Sequence, residues 1–421
     1  MRNRLLLSFV TLLALTRATP SDAQTIEAIT FDEAIRRAVS ANPDIRQAAA
    51  GIMRAEALLQ QVNARLRPSL DASFSTSVID PVVRFNGASI NPRTQTATGA
   101  NFSVPILTSV RWAERAQAGD QVLVSQASAA EVRRQIAMAT AEAYLTVISE
   151  RRVVELNERA RENAQAHYTY AMQRFEGGVG SRLNMLRAQQ ELSSSEALVE
   201  QATLAVRRAQ EALGVLVAAD TPVDAAEEPR FDIAGTETLT GAPVRSDIQF
   251  LTARQSAAQR VLTDTWKDSL PSLTALFTPQ YLAPSGLFVQ PRSMRFAVNF
   301  SVPLLDGAQR RARQNERQAL VNQVAAERAS LDRRVSSEVR TAREAVRLTE
   351  RARDRAEAAA GQATEVVTIT DAAFREGATT NIEVIDAQRR ARDASTAAAI
   401  AEDAVRRARL ELLVALGRFP Q

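Results

Sequence analysis

Asn101-Phe102-Ser103-Val104-Pro105-Ile106-Leu107 returns about 200 residues later as Asn299-Phe300-Ser301-Val302-Pro303-Leu304-Leu305. A second phrase behaves in the same way: Phe175, Gly178, Leu183, Leu186 and Ala188-Gln189 return as Phe374, Gly377, Ile382, Ile385 and Ala387-Gln388. The chain of 421 residues is therefore written twice. Two copies of one long period exclude a solenoid, which stacks several short units. They point to a duplicated domain whose halves lie side by side.

The quoted phrase closes a pair of short strands in each half. Leu70, Ala72, Phe74, Thr76 and Val78 alternate with Ser69, Asp71, Ser73, Ser75 and Ser77, and Thr98, Ala100, Phe102 and Val104 alternate with Ala97, Gly99, Asn101 and Ser103. The second half repeats this with Leu273, Ala275 and Phe277, then with Phe296, Val298, Phe300 and Val302. The expected strands lie near 69–79 and 96–104, and near 272–281 and 295–302. Alternating runs of about 10 residues suit tilted strands that cross a bilayer with one face to lipid and one to a wet lumen. An ordinary half-buried sheet gives the same alternation. Four strands do not close a membrane barrel, whose smallest common form has about eight, so spanning strands require several chains in one barrel.

Prolines punctuate the pairs, with Pro68 and Pro271 before them and Pro105 and Pro303 after them. Proline lacks an amide donor and favours an extended preceding residue, so these four are read as switches between helix and strand. Residues 80–93 and 283–292 contain Pro, Gly or Asn and are read as loops between strands.

Outside the strands the period is helical. From Leu320 through Val324, Leu331, Val335, Ala342, Ala345, Thr349, Ala352, Ala356, Ala359, Ala363 and Val366 to Thr370, apolar or small residues recur at steps of three, four or seven. A helix from Asp306 to Phe374 would extend for about 100 Å at 1.5 Å per residue, a length suited to bridging a gap. Many seam positions are alanine, so neighbouring helix axes approach closely and walls of many helices are favoured.

Composition bounds the compartment. Arg2 and Arg4, an apolar run from Leu5 to Leu15, and small residues Ser21 and Ala23 make residues 1–23 a secretory signal peptide. No later run approaches the roughly 20 apolar residues of a spanning helix. Cysteine is absent, so neither a disulfide nor a lipidated first cysteine is available. The net charge of +4 is too balanced for a nucleic-acid footprint. The expected organisation is the signal peptide, a first repeat over 24–218, a linker over 219–244 rich in Pro, Asp, Glu and Thr, and a second repeat over 245–421.

Four short phrases, in order and partly duplicated, carry a resemblance: Asn42-Pro43-Asp44-Ile45, Leu66-Arg67-Pro68-Ser69-Leu70, Phe102-Ser103-Val104-Pro105, and Arg174-Phe175-Glu176-Gly177-Gly178 followed by Leu183 and Leu186-Arg187-Ala188-Gln189. Over essentially the whole mature chain the sequence resembles the TolC family of outer-membrane channel proteins of Gram-negative export systems. The resemblance implies a mainly α fold with a small β part: duplicated long helical hairpins form an α-barrel, and each chain gives four strands to a trimeric transmembrane β-barrel of about 12 strands. It implies an outer-membrane location with the helices in the periplasm. It also implies a passive exit duct of a tripartite efflux or type I secretion system. Its partners would be outer-membrane lipid, a periplasmic adaptor and an inner-membrane pump.

The same resemblance places Gly177, Gly178 and Val179, and Glu376, Gly377 and Ala378, at hairpin tips that meet the adaptor; a plain helix stop is the alternative. Gly178 and Gly377 are expected to take positive φ. Glu383 and Asp386, three apart on one helical face, match the acidic pair that narrows the tunnel entrance in the family, with glutamate at 383 where aspartate is usual. Three copies would form a ring of carboxylates that attracts cations; a solvated helix face is the alternative. The family's polar latch between hairpins falls on Phe374, Thr379 and Asn184, which lack its chemistry, so a weaker latch is expected. His167 is the single histidine. No Gly-Xaa-Ser-Xaa-Gly, phosphate loop or His/Cys metal spacing occurs, so no enzyme activity, cofactor or metal is expected. A secreted coiled-coil scaffold or adhesin without a pore is the rival reading, and it would extract without detergent.

Overall fold

The computed structural model describes residues 26–234 and 245–419. The signal segment 1–23 and the last part of the linker 219–244 lie outside the described residues. In chain order the elements are β1 (Glu27–Ile29), α1 (Phe31–Ala41), α2 (Pro43–Ala64), β2 (Ser69–Val78), β3 (Arg84–Phe85), β4 (Ala88–Ser89), β5 (Thr94–Thr108), α3 (Ser109–Glu176), α4 (Arg182–Leu216), β6 (Val223–Ala225), α5 (Ser246–Thr263), β7 (Ser272–Ala283), β8 (Arg292–Ser301), α6 (Gln309–Arg375) and α7 (Asn381–Ala415). The duplication survives in the lengths: α3 and α6 have 68 and 67 residues, and α4 and α7 have 35 each.

Neither α3 nor α6 contains proline, and each has a single glycine, Gly119 or Gly361, so nothing in the sequence breaks them. At 1.5 Å per residue each is about 100 Å long. Two shorter helices lie end to end along each long one, α2 and α4 on α3, and α5 and α7 on α6. Of the α6 seam, Val324, Val335 and Ala342 are buried, whereas Ala352, Ala359 and Val366 remain exposed in the protomer. Along the tip-side half of the seam this chain's own helices thus leave alternate positions uncovered, while Ala356, Ala363 and Thr370 between them are partly buried.

The junction between stacked α2 and α4 explains the Asn42-Pro43-Asp44 phrase. Asn42 is buried; its Oδ1 accepts from the Asp44 amide at 2.9 Å, and its Nδ2 donates to the Leu216 carbonyl at 3.0 Å. One side chain thus caps the start of α2 and the end of α4, while Pro43 occupies a first-turn position that needs no amide donor. Replacing Asn42 with alanine removes both bonds. The expected loss is about 1–3 kcal/mol, read as a lowered thermal midpoint of the detergent-solubilised protein.

The waist of the body holds the main core. Phe31, Ala38, Tyr144, Leu145, Leu213, Val223 and Leu410 pack together, with Phe31 edge-on to Tyr144 at 5.4 Å between centroids. The short strands β1 and β6 pair in parallel across this core. The linker is accordingly more than an external loop: Val223 and Ala225 are buried because pairing with Glu27–Ile29 satisfies their backbone. At the start of α5, buried Arg245 donates to Asp247 and to Glu338, each at 2.7 Å, tying α5 to α6.

The four long strands form one antiparallel sheet in the order β2-β5-β7-β8. Register sorts the two faces. Leu70 pairs with Phe102, Phe102 with Phe277 and Phe277 with Phe296, giving a row of four large apolar side chains; Val104, Ala275 and Val298 give another. The opposite face carries Asp71 against Asn101, and Ser73 against Gly99. Phe74, Met294 and Phe296 are more than 70% exposed, so the apolar face has no cover in the protomer. Strands β2 and β8 are edges with no partner among the described residues.

One switch proline is corrected. Pro68 and Pro271 immediately precede β2 and β7, and Pro303 follows β8, but Pro105 lies inside β5, which continues to Thr108. The β5–β7 register shifts between Pro105 and Leu107, and such a bulge is where a strand accommodates a residue without an amide donor. The loop 80–93 also contains structure: β3 and β4 form a small hairpin whose turn, Asn86-Gly87, has φ of 48° and 84°. This is the positive-φ pair that a two-residue hairpin turn requires.

Candidate functional site at the hairpin tips

The end of the body opposite the sheet is built by two helix reversals. In the first, the Gly178 amide donates to the Phe175 carbonyl and the Val179 amide to the Arg174 carbonyl, each at 3.0 Å, and Gly178 has φ 74°. In the second, Gly377 donates to Phe374 at 3.0 Å and Ala378 to Ala373 at 2.8 Å, with Gly377 at φ 77°. These are glycine C-terminal motifs, in which the left-handed residue closes the helix without a Cβ clash. Gly180 is constrained too, because a Cβ there would sit 2.8 Å from the Phe175 backbone nitrogen. Ser181 then starts α4 by accepting from the Leu183 amide at 3.2 Å.

Gly177, Gly178 and Val179, and Glu376, Gly377 and Ala378, are all exposed at these tips. Val179 is 71% exposed, and Leu183, Leu186 and Ile382 lie open beside the tips. The result is two small polar turns with an apolar rim.

Glu383 and Asp386 are both exposed in the first two turns of α7, and neither is a free carboxylate. Glu383 Oε2 accepts from the Thr380 amide at 3.0 Å, serving as the acidic partner at the start of α7. Asp386 pairs with Arg390, one turn further on, at 2.8 Å. In the protomer the pair is therefore a cap and an ion pair on one helix face.

Sequence reasoning missed the contacts that join the two hairpins. Glu191 of α4 is only 4% exposed and accepts from Arg389 Nε of α7 at 2.7 Å, with Arg392 at 3.9 Å. Nearer the tips, His167 Nε2 lies 2.6 Å from Asn381 Oδ1, and Asn381 Nδ2 donates to the Asn184 carbonyl at 3.3 Å. Phe374, where the family latch would begin, is buried against His167 and Tyr170 at centroid distances of 5.5 and 5.9 Å. Comparison of the repeats held no signal for these contacts: the position that matches Glu191 in the second half is Arg390, which pairs with Asp386 on its own helix.

Long paired helices at one end, and a short sheet with open edges and an uncovered apolar face at the other, give an elongated protein whose sheet is left incomplete in the protomer. The sequence profile of the outer membrane efflux protein family matches residues 34–219 and 244–418, and the chain belongs to that family. No match is found among curated proteins. Several solved structures share the fold. The outer membrane protein VceC of Vibrio cholerae is 17% identical with a TM-score of 0.75, the match covering 92% of this chain and 96% of that one. A membrane protein of Pseudomonas aeruginosa is 21% identical with a TM-score of 0.79, covering 93% and 91%. The Campylobacter jejuni outer membrane channel CmeC is 16% identical with a TM-score of 0.77, covering 99% and 94%. The protein is thus a TolC-like outer-membrane efflux channel component, with its helical part in the periplasm, and not an enzyme. The scaffold reading falls with this membership. Among the described residues no helix is long and apolar enough to cross a membrane.

Proposed function

We propose that three copies of this chain form a passive exit duct, opened at its periplasmic end by an adaptor that couples it to an inner-membrane pump of a tripartite efflux or type I secretion system. The observation that carries this reading is the sheet, whose two unpaired edges and uncovered apolar face need both neighbours and lipid. Three such sheets, joined β8 to β2, make a closed barrel of about 12 strands, large enough for a polar lumen. The exposed tip-side positions of α6 support the same assembly, since Val366 and Ile369 there await a neighbouring helix.

The tips are the adaptor's docking points in this reading: polar turns set the approach, and Val179, Leu183 and Ile382 supply apolar area. Energy comes from the pump, because the chain offers no chemistry of its own. Co-purification from cross-linked cells tests the assembly. A trimer that carries the adaptor, and loses it when Val179 and Leu183 are both changed to aspartate, is expected; unchanged recovery of the adaptor would contradict the docking surface.

Glu383 and Asp386 surround the entrance in the trimer, with Arg390 beside them. Arg390→Gln is expected to make the channel more cation-selective by freeing Asp386, and Asp386→Asn to do the opposite, as read from zero-current potentials under a salt gradient. Stability should change by less than about 0.5 kcal/mol in either variant, because the pair is exposed.

A further inference from the structure

We infer that His167, Asn381 and the Asn184 carbonyl form a clasp that positions the second hairpin on the first at the duct's mouth, and that protonation of His167 releases it. The inference rests on the duct reading above and assigns that duct its own gate contact.

The clasp draws on all four tip helices. His167 comes from α3, Asn184 from the first turn of α4, Phe374 from the last turn of α6, and Asn381 is the first residue of α7. His167 and Asn381 are 6% and 2% exposed, so both bonds are sheltered from water. The bonds also fix each other. Asn381 Nδ2 must donate to the Asn184 carbonyl, so its Oδ1 faces His167 and accepts; Nε2 therefore carries the proton of the neutral ring. A second proton goes to Nδ1 and brings a full charge into a buried site.

The surroundings do little to welcome that charge. From α6, Asp371 faces the ring, but it is paired with Arg375 at 2.7 Å. On α3 itself, Arg174 stands over the Tyr170 ring at 5.8 Å, and Glu376 and Arg375 line the open side of the same hollow. Beyond Asn381, α7 contributes Gln388 to that hollow, and α4 contributes the uncharged Asn184 carbonyl. Burial holds the imidazole below its usual range, outweighing the Asn381 hydrogen bond and Asp371. A group whose folded value is depressed gives stability above its ordinary value, near 6.5, and loses it as pH falls. Separated hairpins would expose the ring to water and bind the proton better. Acid therefore shifts the balance toward release, by at most about tenfold per pH unit per protomer.

The test uses the full-length mature protein in planar bilayers, with conductance followed from about pH 7.5 to about pH 5. Wild type is expected to open several-fold more at the acid end. His167→Gln, which keeps a donor without titrating, should stay low across the same range. Asn381→Ala should be open throughout. Because His167 is the only histidine, exchange of its ring C2 proton, read by mass spectrometry, reports its titration in the intact assembly without any mutation. Titration below the ordinary histidine value supports the clasp, and titration at or above it overturns the clasp even if a variant fails to fold. A conducting channel whose acid response is absent, or persists in His167→Gln, rejects the clasp and leaves the duct standing. No conductance at any pH, in wild type and in Asn381→Ala alike, rejects the clasp as the gate contact and leaves the duct to the adaptor test above.

Discussion

Phe102→Arg is expected to abolish accumulation in the outer membrane, while Asn101→Arg, one residue away, leaves it largely intact. Phe102 lies mid-strand in β5, in a row with Leu70, Phe277 and Phe296 on the apolar face. An arginine facing lipid near the bilayer midplane costs about 2–4 kcal/mol, and a trimer would bear that cost three times. Asn101 points to the other face, opposite Asp71, where the barrel reading places water. Heat-stable oligomer in fractionated membranes gives the readout. Equal tolerance of the two substitutions would mean that the apolar face does not meet lipid.

Tyr144→Ala carries the second large effect, at the waist. Tyr144 is fully buried in the main core, and its hydroxyl donates to the Ile29 carbonyl at 3.0 Å and accepts from the Glu227 amide at 3.3 Å. The ring thus fastens the segments on either side of the β1–β6 pair to α3. Truncating a buried aromatic side chain to alanine costs about 3–5 kcal/mol. Tyr144→Phe keeps the packing and leaves the two backbone groups wanting a partner, for about 1–3 kcal/mol. Denaturant midpoints of the solubilised protein should therefore fall in the order wild type, phenylalanine, alanine. Equal midpoints for the two variants would show that the hydroxyl, and not the ring, matters at this position.

Much of the architecture can be read from periodicity because each signal is local. Alternation put Leu70, Phe102, Phe277 and Phe296 on one face of their strands, and pairing then aligned them into one row. Gly178 and Gly377 announced helix ends through a backbone requirement that glycine meets cheaply. Pro105 misled, because a bulge and a strand end make the same demand on an amide donor. The strands β1 and β6 were not legible, since three residues are too few to show a period and their partners lie far apart in the chain.

The tip contacts were hidden for a related reason. His167 and Asn381 stand 214 residues apart, and Arg389 and Glu191 198 apart. Single polar residues on separate helices carry no pattern until the helices are packed. The absence of the family's latch chemistry at Phe374, Thr379 and Asn184 suggested a weaker hold. At the same level the structure places a different set of polar contacts, with Phe374 as their apolar wall.

The chain's lack of cysteine makes the most direct test simple. Strands β2 and β8 are opposite edges of the protomer's sheet, so they meet only if a neighbouring copy closes the barrel. Cysteines placed at Phe74 and, in turn, at Met294, Phe296 or Val298 should give a covalent trimer on oxidation of intact outer membranes for at least one pairing. Monomer alone for every pairing, in protein that is folded and present in that membrane, would contradict the trimeric barrel and with it the duct.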